Sequence, residues 1–399
     1  MSLLPVSEAL ARILDGIEPP AVQTVSIYNA EDRVLARDLE ARFTQPPFDA
    51  SAMDGYAVRG ADLGDPGTRL TVIGASAAGH GMRQYIGPGQ AARIFTGAPM
   101  PSGTDTVVIQ EDVDCEGDDI VLYDIPRPGA NVRQAGVDFR EGHIGLTTGR
   151  RLDAHTLTLA AAMGYAEIPV ARKPVVAILA TGDELVPPGT PPGTDQIVSS
   201  NPVGLATLVR KAGGEPRLLG IARDTEESIG THIALVRDAD VLVTIGGASV
   251  GDHDLVAPAL IARGMELDFW KVALRPGKPL MFGRLGKTRM LGLPGNPVSA
   301  LICGRVFLAP LIRALLGARE RGPERRMARI THALDANGPR LYLMRATCAP
   351  GADGRLSVTA LSSQDSSLLT ALADATCFIV RQPETSAVSA GDDVEIEML

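Results

Sequence analysis

Three apolar runs between residues 174 and 301 each lead into a short string of glycines and polar residues. They are PVVAILATGDEL from Pro174, DADVLVTIGGASVGDHD from Asp238 and RMLGLPGNPVSAL from Arg289. A run that is apolar on both alternating faces is a strand buried on both sides, and such strands occur in parallel sheets covered by helices. Helical stretches separate the runs: PVGLATLVRKAGG, a segment from Thr225 to Arg237, and another from Leu255 to Arg263. Residues 172–322 therefore predict an α/β domain with a parallel sheet. In such sheets ligands bind beyond the carboxyl ends of the strands, where the three polar strings stand.

The first string holds Thr181, Gly182, Asp183 and Glu184. The second holds Gly246, Gly247, Ser249 and Gly251 and closes on Asp252, His253 and Asp254. The third holds Pro294, Gly295, Asn296 and Ser299. Glycines let backbone amides approach a ligand, and a helix N-terminus favours an anion. In the third string Gly295 and Asn296 make a tight turn, Pro297 suits the first helical position, and Ser299 is expected in the first turn, facing free N–H groups. Pro310 is expected to kink or end the helix that follows. Each loop alone also fits an ordinary turn, with Asp183 and Glu184 as helix caps. WKVALRPGKPLMFG, Trp270 to Gly283, adds Lys271, Arg275 and Lys278, cations that suit a bound oxyanion or surface ion pairs.

The earlier part of the chain reads differently. Residues 46–136 are rich in glycine and short strand-like runs and predict a β-rich domain. It opens with PPFDASAMDGYAV, where Asp49 and Asp54 suit either a hydrated Mg²⁺ and a proton relay or Asx-turn caps. Asp105 in GAPMPSGTDTVV invites the same two readings. Residues 1–45 and 137–171 are helical at their outer parts and are expected to pack as one segment interrupted by the β-rich insertion. The arginine-rich stretch Arg319 to Arg329 reads as a solvated linker, and residues 323–399 as a small barrel-like β domain.

A net charge of -9 without a basic face excludes a nucleic-acid binder. Cys115, Cys303, Cys348 and Cys377 are too scattered for a zinc motif and too few to staple the chain, which points to a reducing compartment. The N-terminal apolar face is interrupted by Glu8, Arg12 and Asp15, unlike a signal peptide. No apolar stretch is read as approaching the roughly 18–20 residues of a membrane span, so a cytoplasmic protein is expected. From the residues alone the chain is a multidomain enzyme for a phosphorylated or oxyanionic small molecule, with a divalent cation and an open reaction.

FDASAMDGYAV, RIFTGAPMPSGTDTVVIQED, GANVRQAGVDFREG, ATGDELVPPG, GGASVGDHD, FWKVALRPGKP and LPGNPVSAL together resemble the molybdopterin molybdenumtransferase family, the MoeA group that includes the gephyrin E domain. The resemblance implies an extended segment, a β-rich insertion, an α/β domain similar to molybdopterin adenylyltransferases, and a C-terminal β-barrel. It also implies an elongated homodimer whose cleft sets Asp54 of one subunit opposite the three loops of the other. The implied reaction inserts molybdate into adenylylated molybdopterin, releases AMP and requires Mg²⁺. Asp54, Asp138, Asp183, Glu184, Asp224 and Asp254 match the family's acidic positions, with Asp54, Glu184 and Asp254 expected to bind the metal. Lys271 and Arg275 would stabilise developing charge. Thr181, Gly182, Gly246, Gly247, Ser249, Gly251, Lys278, Pro294, Gly295, Asn296 and Ser299 would hold the pterin phosphate or molybdate. A molybdopterin adenylyltransferase and molybdoenzyme maturation proteins are the implied partners.

The chain departs from the family pattern at Ser199, where Asp is frequent, at Ala248, at Asp365, where glycine is common, and at Arg275, often lysine. Two other readings stand beside the transferase: a non-catalytic pterin-binding scaffold and a molybdopterin adenylyltransferase. The absence of an added interaction module weighs against the first, and the complete β-rich domain with Asp54 against the second.

Overall fold

The computed structural model describes residues 3–236, 238–247, 255–320, 322–351 and 354–399. The chain forms two compact units, one from residues 24–31 and 37–169, the other from residues 1–23, 32–36 and 170–399.

In the first unit the strands Thr106–Ile109, Gly55–Val58, Gln90–Ile94, Arg69–Ser76, Asp119–Leu122 and Val113–Glu116 lie side by side in that order. Their alternating residues feed two small cores: Tyr56, Val58 and Val108 turn to one, Ala57, Ile94 and Val107 to the other. Gly55 begins its strand against Val108, whose carbonyl would collide with any Cβ there. The flanks pair antiparallel through Leu39–Glu40 and Ile144–Leu146, and the ends of the insertion through Ala50–Ser51 and Val132–Arg133. The N-terminal helix Val6–Leu14 does not join them. Its Ala9 and Ile13 are buried in the core of the other unit.

The second unit contains the expected α/β sheet. In chain order its elements are β1 (Val175–Thr181), α1 (Asn201–Lys211), β2 (Glu215–Ala222), α2 (Glu226–Ile233), β3 (Val241–Ile245), α3 (Val256–Ile261), β4 (Met265–Trp270), β5 (Met281–Leu285), β6 (Thr288–Leu293) and α4 (Pro297–Leu315). The strands lie in the order β2, β1, β3, β6, β5, β4. The first four are parallel, while β5 runs antiparallel to both its neighbours. Val176, Ile178, Val243 and Leu291 pack against α1 and α4; Ala177, Leu179, Leu242 and Met290 pack against α2 and α3. Both faces are dry, which is why these strands read as continuous apolar runs.

Helix α4 corrects one expectation and narrows another. It is 19 residues long and apolar enough to meet the length and composition test for a membrane span, and 72% of its tested window is buried inside the protein. A helix apolar all round is a core helix when neighbours surround it, as the sheet, α1 and the N-terminal helix do here. Nor does Pro310 end it. A π-helical turn, Gly304–Leu308, directly precedes the Ala309–Leu315 segment, widening the helix where the proline ring would meet the carbonyl of Val306.

The C-terminal strands Arg325–Ile330, Leu341–Pro350, Leu356–Ala360, Cys377–Arg381 and Asp393–Met398 close into a five-stranded barrel. Closure comes from Leu341–Pro350, which pairs with both Leu356–Ala360 and Cys377–Arg381. The arginine-rich stretch is therefore a linker only in its first half. From Arg325 it is a barrel strand, with Ala328 and Ile330 facing the core and Arg325 paired with Glu395 at 3.2 Å.

Leu291 is fully buried in the centre of the sheet. Leu291→Ala is expected to destabilise this unit by about 2–5 kcal/mol, measured as a lower urea midpoint for its unfolding.

Candidate functional site

Strand register brings the polar strings together. Ala180 pairs with Ile245, and Ile245 with Leu293, so β1, β3 and β6 end at one level. Gly246, at φ 90°, turns the chain back towards β1, where a Cβ would stand 2.8 Å from the Thr181 carbonyl oxygen. A Cβ on Gly295 would come within 3.9 Å of the Gly246 Cα. Asn201, at the start of α1, ties in the third loop by donating from Nδ2 to the Gly295 carbonyl at 2.7 Å. Between these loops lies a cleft of about 660 Å³, lined among others by Thr181, Glu184, Ser199, Gly246, Gly247, Pro294, Gly295 and Asn296.

Gly246 spends its amide on the Leu293 carbonyl, and Gly182 on that of Ala222. Among the described residues the amides of Gly247, Gly295 and Asn296 donate to no protein acceptor. They are the donors left for an anion. The first turn of α4 is less open than expected. Ser299 is only 5% exposed and does not line the cleft, and the amide of Val298 donates to the Ser366 carbonyl at 3.2 Å. The Asn296 Nδ2 donates to the Ser366 hydroxyl at 3.1 Å, and Ser367 and Leu369 complete the lining. This barrel wall was missed from sequence, where SSQDSSLL stood out only for Asp365. Asp365 in fact orders the turn: its Oδ1 accepts the Ser367 amide at 2.8 Å and hydroxyl at 2.7 Å.

Three carboxylates gather beside the cleft. The Asp224 amide donates to Asp183 Oδ1 at 3.4 Å, and Glu184 lines both the cleft and an adjoining hollow shared with Asp183 and Asp195. Burial first, then the negative charge of Asp183 and of Glu184, holds the Asp224 carboxyl above its usual range. Arg223 offsets part of this charge, 3.8 Å from the Asp183 carboxylate. The described residues include no group of three or more His, Cys, Asp or Glu side chains arranged to cage a metal. Mg²⁺ usually keeps several waters and takes one or two carboxylates, so these hard oxygen donors, whose mutual repulsion a cation would relieve, fit that ion.

The three cations sit less centrally than their spacing predicts. The Lys271 amide donates to the Leu280 carbonyl and the Val272 amide to that of Lys278, closing a loop that sends Pro279 into the cleft wall. Lys271, Arg275 and Lys278 themselves do not line it. The Arg275 guanidinium lies 4.2 Å from the centre of the Tyr342 ring, a cation–π contact that occupies its face.

In the β-rich unit Asp54 stands apart from its neighbours. Its Oδ1 accepts both the amide and the hydroxyl of Thr96, each at 2.8 Å, which with Arg93 nearby keeps the exposed carboxyl below its ordinary range. Asp49 accepts the Ala135 amide, and Asp105 the Gly60 amide and the Thr106 hydroxyl, so both tie distant segments together rather than cap a local turn. Asp138 is exposed, with its amide on the Gln45 carbonyl. Ser199 is buried, its amide on Val186. Of the predicted metal set, Asp54 and Glu184 belong to different units. Asp254 lies outside the described residues, as do Ser249, Gly251, Ala248 and His253.

Thr96→Val removes the hydroxyl donor and is expected to raise the Asp54 pKa towards the usual carboxylate value, measured by ¹³C NMR titration. A depressed folded pKa contributes stability that is present above the unfolded pKa and lost as pH falls through the folded one. The variant should therefore lose part of that acid-sensitive contribution. Gly246→Ala, which sets a Cβ against the Thr181 carbonyl, is expected to displace the second loop and weaken anion binding, measured by calorimetry.

Comparison with known proteins covers the whole chain. Residues 4–164 match the MoeA N-terminal region (domain I and II), residues 177–314 the "Probable molybdopterin binding domain", and residues 327–399 the MoeA C-terminal region (domain IV). A molybdopterin molybdenumtransferase of Haemophilus influenzae is 37% identical over 399 residues, 99% of this chain and 98% of that protein. One of Bacillus subtilis is 32% identical over 405 residues, covering 99% and 94%. The crystal structure of a molybdopterin biosynthesis MoeA protein from Pyrococcus horikoshii superposes with a TM-score of 0.87 at 27% identity, covering 100% of both chains.

Proposed function

The chain belongs to the MoeA family, and from that premise we propose that it is a molybdopterin molybdenumtransferase, inserting molybdate into adenylylated molybdopterin with release of AMP. The observation that carries the reading is the cleft at the level where three strands of the sheet end, lined by Glu184 and by residues with free amides.

The amides of Gly247, Gly295 and Asn296 receive an oxyanion of the substrate, and their fixed orientation lets them favour charge as it develops. Leu185, Ile245 and Pro294 limit water around it. Asp183 and Glu184 would hold Mg²⁺, which when bound supplies Lewis-acid neutralisation of a phosphoanhydride. Asp224, held above its usual range, is suited to take the proton of the water that attacks the phosphoanhydride and expels AMP. Lys271 and Lys278 carry positive charge on the loop behind Pro279. The reading includes a homodimer in which Asp54 acts on the cleft of the other protomer; this role rests on the family resemblance. It also includes a cytoplasmic setting, which four free cysteines favour.

With Mg²⁺, molybdate and adenylylated molybdopterin, the purified chain is expected to release AMP only when molybdate is present. Asp54→Ala and Glu184→Gln should each lower this turnover by about 100-fold or more while leaving the fold intact by circular dichroism. Sedimentation is expected to show twice the chain mass. No molybdate-dependent AMP from folded protein that binds the pterin would favour the scaffold, and ATP consumption with unmodified molybdopterin the adenylyltransferase.

A further inference from the structure

Arg345, on the Leu341–Pro350 barrel strand, is 1% exposed and the bulkiest of the fully buried side chains. Among the described residues no carboxylate pairs with it. Its guanidinium donates instead to three carbonyl oxygens of one loop: Asp365 at 2.9 Å, Leu368 at 3.1 Å and Ser363 at 3.3 Å. The loop grips back through Gln364, whose Oε1 accepts the Arg345 amide and whose Nε2 donates to the Arg345 carbonyl, each at 2.9 Å. Burial pushes the guanidinium pKa down, against smaller opposing effects of Tyr342 and Asp365.

A buried charge without a counter-ion is costly, and an apolar side chain of similar volume would fill a barrel more cheaply. What an apolar residue cannot do is span three carbonyls with a rigid planar fork of donors. The loop so held is the cleft's barrel wall. Ser366 meets Asn296 and Val298, and Ser367 and Leu369 face the cleft.

We infer that Arg345 is a positioning residue: without touching substrate, it fixes the 363–369 wall and so sets the fit of the pterin substrate in the cleft. The inference deepens the proposed reaction and rests on it for the identity of that substrate. Its physical core, the pinning of the wall, is measured separately.

The experiment compares the full-length parent with Arg345→Met, Arg345→Lys and Gln364→Ala by hydrogen exchange and steady-state kinetics, using whichever variants fold. Amides of residues 363–369 are expected to exchange at least about 10-fold faster in the variants, with the barrel strands keeping their protection. The KM for adenylylated molybdopterin should rise by about 10- to 100-fold with a smaller change in kcat, and lysine, lacking the fork, should rescue little. Unchanged loop exchange, or an even rise over the whole barrel with a lower urea midpoint, would overturn the positioning role. A parent without turnover would instead overturn the proposed reaction, and the exchange pattern would still decide whether Arg345 pins the wall.

Discussion

The register between β1, β3 and β6 is the constraint on which the site depends. Ala180 beside Ile245 beside Leu293 makes three strands stop together, and parallel pairing sets Thr181, Gly246 and Pro294 at the same edge. A one-residue slip in any of them would turn its apolar side chains to the wrong face of the sheet as well as misplace its loop. The dry packing on both faces thus holds the site's geometry. Glycine does the rest: Gly246 can lie against the Thr181 carbonyl only because it has no Cβ.

On that frame charge is distributed unequally. Burial, with the negative charge of Asp183 and Glu184, raises the Asp224 pKa, while Lys271, Arg275 and Lys278 are absent from the cleft lining and the free amides belong to lining residues. The cations of the Trp270 to Gly283 stretch stand back from the lining, and Arg275 is engaged by Tyr342 of the barrel. The C-terminal domain is therefore a structural part of the cleft, through Ser367 and Leu369 of the wall.

Much of this was legible in sequence. Continuous apolar runs closed by glycine-rich strings mark buried parallel strands and their ligand edge, and the ordered motifs carry the family. Three features were not legible, each for a physical reason. Helix α4 has the length and composition of a membrane span because it is surrounded by protein, and residue type cannot distinguish one apolar environment from another. The continuation through Pro310 depends on a π-turn, which has no residue signature here. The Ser366 contacts join segments about seventy residues apart, so nothing local announces that one α4 amide is already occupied. Asp49 and Asp105 show the same limit: the spacing admitted two local readings, and both carboxylates in fact accept amides from distant segments.

The central claim is that the anionic part of the substrate is seated by the loop amides at the carboxyl edge of the sheet. A crystal structure of the chain with adenylylated molybdopterin tests it most directly. The account predicts phosphate oxygens within hydrogen-bonding distance of the amides of Gly247 and Gly295. Phosphate bound instead at the opposite edge of the sheet, in the basic hollow of Arg284 and Lys287, with the loop amides facing solvent, would contradict it.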